Sequence, residues 1–137
     1  MTSRELEAWI ANCLRMSGRA VLVLPPEGTK PYRFAVGEEA VAGSSLICVY
    51  AWNATHGGGP RAADEFRIQL TGSMPESVDG ETTVILGWSE AFQVFAGWDP
   101  QVHDHRLSAS PSLQVRSDVM IRASSQGIAA GTRGSGD

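Results

Sequence analysis

His103-Asp104-His105 places two imidazoles around a carboxylate, and a run of donors follows it: Arg106, Ser108, Ser110, Ser112, Gln114 and Arg116. Upstream, Arg61, Arg67 and Gln69 form a second donor stretch. Two histidines at i, i+2 in extended chain can share a metal, but a zinc site needs three or four ligands. His56, Cys13 and Cys48 belong to unrelated elements, so no metal and no cofactor is expected. No Gly-x-Ser-x-Gly elbow, Cys–His pair or phosphate-cradling glycine loop stands out. Asp64 and Glu65 precede a strand-like stretch, but that stretch lacks the acid–any–lysine element that would hold Mg²⁺ and activate water. Catalysis would fall to His103 or His105 as a general base, with nothing oriented beside them.

What remains is binding chemistry. Arg, Gln, Ser and His reach phosphates and base edges. The chain carries a net charge of −4, yet from His105 to Arg133 there are four arginines against one acid, Asp118. An acidic partner would meet such a locally basic face. The expected DNA-contacting residues are therefore Arg61, Arg67, Gln69, His103, His105, Arg106, Ser110, Ser112, Gln114 and Arg116. Ten arginines stand against the single Lys30. That bias suits bidentate contacts to phosphate or guanine, and equally reflects a GC-rich genome. Trp52, Trp88 and Trp98 sit near strand ends, where indole faces can line a pocket for a modified base. The competing role is core packing, which Trp88 fits best.

These residues need elements to hold them. With 137 residues, 42% hydrophobic and 19% charged, the chain has enough apolar material for one core. No apolar run approaches the roughly 20 residues of a membrane helix, and no signal core opens the chain. Two cysteines make no disulfide framework, and a cytoplasmic protein is expected. Leu6, Trp9, Ile10, Cys13 and Leu14 recur with helical period, behind a Thr2–Glu5 capping box and before Gly18. The spacing predicts a helix over 3–17 with Trp9 buried. Strands are predicted at 20–24 (buried), 32–36, 45–52 and 66–70. A hairpin follows, running from 82 to 98 and turning at Ser89-Glu90. Each of its arms ends in Gly-Trp, and a glycine inside a strand marks a bulge or a close backbone approach. Residues 99–112 read as a long loop, 113–115 as a short strand and 117–125 as a short helix stopped by Gly127. The expected fold is α+β: an N-terminal helix packed on a bent antiparallel sheet or partly open β-barrel, with a short C-terminal helix. Residues 1–128 would form one domain, and 129–137 a Gly/Ser tail or linker.

The stretches Asp64–Gln69, Thr83–Trp88, Val94–Asp99, His103 and Ser110–Val115 resemble the N-terminal domains of some bacterial restriction endonucleases. Several of those belong to the modification-dependent, type IV-like class. The resemblance covers residues 60–130. It implies a non-catalytic DNA-recognition module with a nuclease domain elsewhere, fused or as a partner. Its ligand would be double-stranded DNA, with a modified base such as 5-methylcytosine or a modified backbone. The loop 99–116 would enter a groove, with Trp98, Leu107 or Pro111 against the modification.

Two other classes stay open. One is a protein-interaction or autoinhibitory module of a larger bacterial enzyme, which the acidic balance favours. The other is a small-molecule barrel with aromatics at its mouth. The first turns on whether Arg67, Arg106 and Arg116 share a face. The second requires a large apolar cavity.

Overall fold

Thr2 opens the first helix in the expected way. In the computed structural model its hydroxyl accepts from the Glu5 N–H at 3.1 Å, and the Glu5 carboxylate accepts from the Thr2 N–H at 3.3 Å. The structure describes residues 1–37, 44–56, 65–72, 75–100 and 112–131. Helix α1 spans Ser3–Met16, and Gly18, at φ +91°, turns the chain out of it. The left-handed conformation there favours glycine. Strands β1 (Ala20–Leu24), β2 (Tyr32–Gly37), β3 (Ser45–Asn53), β4 (Glu65–Gln69), β5 (Glu81–Ser89), β6 (Val94–Trp98) and β7 (Ser112–Arg116) follow, then helix α2 (Ser117–Gln126). No helix among the described residues is long and apolar enough to cross a membrane.

Five strands form one sheet in the order β1-β2-β3-β5-β6, and β4 pairs with β7 in a separate two-stranded sheet. The class is α+β as expected, and the sheets do not close into a barrel. The main sheet is mixed rather than antiparallel, because β3 and β5 run parallel, with Asn53 beside Trp88. The parallel pairing follows from the connection: β4 leaves the sheet between them and enters the second layer, so β5 returns in the direction of β3.

Alternation sorts the side chains onto two cores. On one face, Leu6, Ile10 and Ala11 of α1 pack on Tyr32, Phe34, Val36, Val49, Ala51 and Trp88. On the other, Cys48, Tyr50, Trp52 and Ile85 meet Ile68, Leu70 and Leu113 from the small sheet. Burying each large side chain contributes about 1.5–3 kcal/mol. The central strand β3 is covered on both sides, which explains its near-continuous apolar run.

Three local expectations are corrected. The strand at 20–24 is not buried: β1 is an edge, and Leu22 is 62% exposed. The hairpin does not turn at Ser89-Glu90. Ser89 is buried and pairs with Val94, and 90–93 make the turn, with Gln93 at φ 56°. Trp9 is only half-buried, edge-on to Trp88 at 6.0 Å between ring centroids.

Candidate nucleic-acid interface

The small sheet is built by two strands whose residues alternate between core and outside. Ile68 and Leu113 are cross-strand partners, and both are buried. Strand pleating therefore directs their neighbours the other way. On the outer face Arg67 lies opposite Gln114, Glu65 opposite Arg116, and Gln69 opposite Ser112. Arg67, Gln69, Gln114 and Arg116 thus share one face of a two-stranded ribbon.

Local bonding holds this ribbon in place. Arg67 and Thr55 exchange both backbone hydrogen bonds at 2.8 Å, tying β4 to the end of β3. Trp98 donates its indole N–H to the Gln114 carbonyl at 3.1 Å, tying β7 to β6. Close packing does the rest. A methyl group at Gly87 would stand 2.6 Å from Ile68 Cγ2 and 3.2 Å from the Trp98 ring. Glycine is what lets the ribbon approach the main sheet, as the sequence suggested for that position.

The electrostatics of the face are mixed. Arg116 Nε donates to Asp118 at 3.1 Å, and Arg122 stands 3.8 Å from the same carboxylate, one helical turn on. All three groups are largely exposed, so each contact contributes little to stability. Their effect is to hold two guanidinium groups beside the C-terminal end of β7.

The three tryptophans do not converge on one pocket. Trp88 is on the α1 face, 3% exposed, with its N–H on the Glu90 carboxylate at 2.7 Å. Trp52 is on the opposite face, 6% exposed, with its N–H on the Thr71 carbonyl at 3.1 Å. Parity decides this: Trp52 lies beside Gly87, so the strand positions of Trp52 and Trp88 face opposite sides of the sheet. Trp98 shares the face of Trp52 and borders a cleft beside the ribbon. That cleft, of about 540 Å³, opens between β6, β7 and α2, and is lined among others by Trp98, Gln114, Arg116, Val119 and Ala123.

Arg61, His103, His105, Arg106 and Ser110 lie outside the described residues, as do Leu107 and Pro111. Of Ser112 only the backbone position, opposite Gln69, is described. Among the described residues no group of three or more His, Cys, Asp or Glu is placed to hold a metal.

One aromatic contact was not anticipated from the sequence. Lys30 Nζ stands 5.3 Å over the Trp52 ring, and burial pushes its ammonium below the usual lysine range. Nothing in the spacing of Lys30 and Trp52 signals that contact, because it depends on the turn before β2.

A family model described as Methylase-associated X1 matches residues 45–137. No curated protein and no solved structure matches the chain.

Proposed function

The chain belongs to the Methylase-associated X1 family, and from that premise we propose that it is a DNA-recognition module of a methylase-linked restriction–modification system. The module is non-catalytic, and nuclease or methylase chemistry resides in another domain or subunit. The carrying observation is the shared outer face of β4 and β7, with Arg67, Gln69, Gln114 and Arg116 on one ribbon.

A two-stranded ribbon has the width to enter the major groove. Five residues per strand span about 17 Å, enough to cross several base pairs. Arginine on such a ribbon reaches guanine O6 and N7 or a phosphate, and glutamine reaches adenine N6 and N7. The duplex would carry a modified base or a modified backbone. Trp98, at the margin of the ribbon, is the indole best sited to touch the modification. Trp52 and Trp88 hold their indoles as parts of the two cores.

The test is a binding panel at one fixed moderate salt, with matched duplexes carrying 5-methylcytosine, 5-hydroxymethylcytosine, N6-methyladenine, a phosphorothioate linkage or no modification. The expected result is a complex with one modified duplex over the plain one. Arg67→Glu should weaken binding to every duplex, and losing a phosphate contact flattens the salt dependence by about one unit of slope. Folded protein that binds none of these duplexes would remove the DNA reading and leave the protein-interaction reading.

A further inference from the structure

Arg116 is both the last residue of β7 and the N-cap of α2, so its side chain leaves an extended backbone, at φ −83° and ψ 144°. Asp118 follows two residues on, in the first turn of the helix. The unbroken passage from strand to helix brings the two side chains together. Arg116 Nε donates to Asp118 Oδ1 at 3.1 Å, and Arg122 Nη2 stands 3.8 Å from Asp118 Oδ2. The carboxylate is thus engaged at both oxygens, by the ribbon on one side and by the next turn of α2 on the other. Arg67, on the same outer face as Arg116, differs: among the described residues its side chain takes part in no ion pair.

An acid beside a face that meets DNA works against binding, because it repels phosphate. Stability does not account for it, since all three groups are largely exposed and such pairs contribute little. A carboxylate in a first helical turn also complements the helix dipole, but that role needs no arginine. The contact does something else: it arrests a long side chain. A guanidinium is planar, so a bond at Nε fixes its plane and the direction of its two terminal nitrogens. Arginine reads guanine through two coplanar N–H donors aimed at O6 and N7, and that contact depends on the plane. A phosphate contact sets register without reading sequence and makes no such demand.

We propose that Asp118 is a positioning residue for specificity: it holds Arg116 in the orientation that reads a guanine in the major groove, while Arg67 serves a phosphate. This inference rests on the DNA reading of the ribbon and names what one of its arginines recognises. Arg122 steadies the arrangement by engaging the second oxygen of Asp118. A contact group locked by a second hydrogen-bonded residue discriminates better than a free one, because only the correct base meets both donors without rearrangement. The carboxylate therefore lowers affinity for DNA in general and raises discrimination at one base pair. The duplex this chain prefers carries a G·C pair where the C-terminal end of β7 meets the groove.

The experiment is selection of bound duplexes by the 137-residue chain from randomised pools, one plain and one for each modification of the panel above, at one fixed moderate salt. Affinities are then measured for the enriched duplex and for its single-pair variants. The parent should demand G·C at one position or more. Arg116→Lys keeps the charge and loses the fork, and should relax one such position by about tenfold. Asp118→Asn should relax the same position by a similar factor. It should also bind the single-pair variants at least as tightly as the parent does, because a negative charge has left the face. In the Arg116→Lys background, Asp118→Asn should change discrimination no further. A purely structural acid gives a different result, an equal loss of affinity for every duplex with discrimination intact, and that result overturns the proposal. So does a loss of discrimination that adds to that of Arg116→Lys, or an Arg116→Lys variant that keeps every G·C demand. If the parent enriches no sequence from any pool, the DNA reading falls and this inference with it. If it enriches one that Asp118→Asn reads equally well, this inference falls alone.

Discussion

At the scale of single residues, the two Gly-Trp pairs divide into different jobs. Gly87 lies under Ile68 and the Trp98 ring, and Gly97 lies on β6, the last strand of the main sheet among the described residues. Gly87→Ala should destabilise by about 1–3 kcal/mol, the usual cost of overpacking. Gly97→Ala should stay within about 0.5 kcal/mol of the parent. Urea midpoints of the two variants check this, and equal midpoints would sink the distinction. The buried Cys48 thiol and the Tyr32 and Tyr50 phenols give a second expectation. Burial is the leading cause that pushes all three above their usual values, with the Glu81 charge adding to it at Cys48. The folded state then holds these protons more tightly than the unfolded chain. Their contribution to stability is complete below the unfolded value of the thiol, about 8.5, and is lost as pH rises beyond it. Stability measured by urea should thus fall from about pH 8.5 upward, and Cys48→Ala should remove the first part of that fall.

At the scale of elements, α1 is the segment whose sequence is most explicit. Its cap, stripe and stop codes are local, and the structure uses each of them. Thr2→Ala deletes the side-chain cap and should lower stability by about 0.5–2 kcal/mol, read as a drop in thermal midpoint without loss of cooperativity. Helix α2 is different. Its N-cap is Arg116, with no side-chain bond. The chain passes from β7 into α2 without a break, so strand pairing fixes the residue that enters the helix. The ribbon of β4 and β7 was partly legible. Arg67 and Gln69 are two apart, as are Gln114 and Arg116, which puts each pair on one face. Their register was not legible, because 42 residues lie between Gln69 and Ser112, and nothing in that interval specifies the pairing.

At the scale of the whole molecule, the family match and the folded unit have different limits. The match begins at residue 45, the first residue of β3. Residues before it supply α1, β1 and β2, and with them six of the nine buried residues of the core that Val49, Ala51 and Trp88 complete. A fragment of residues 45–137 would expose that apolar face and leave β3 as an edge. We expect such a fragment to lack a cooperative urea transition, and a sharp transition like that of the full chain would refute this. The mixed sheet belongs to the same scale. Each strand could be found from its own composition, but the parallel pairing of β3 and β5 depends on β4 crossing to another layer.

The sequence by itself determined the helix at the N-terminus, most strands, the α+β class and the alternation that places Arg67 and Gln69 together. Those features follow from periods of 3.6 and 2 and from local capping, all written over a few residues. Tertiary structure alone decided which strands are edges, that Trp52 and Trp88 fall on opposite faces, and that Arg67 and Arg116 share one ribbon. These depend on partners far apart in the chain, and side-chain type carries no information about which distant strand lies alongside.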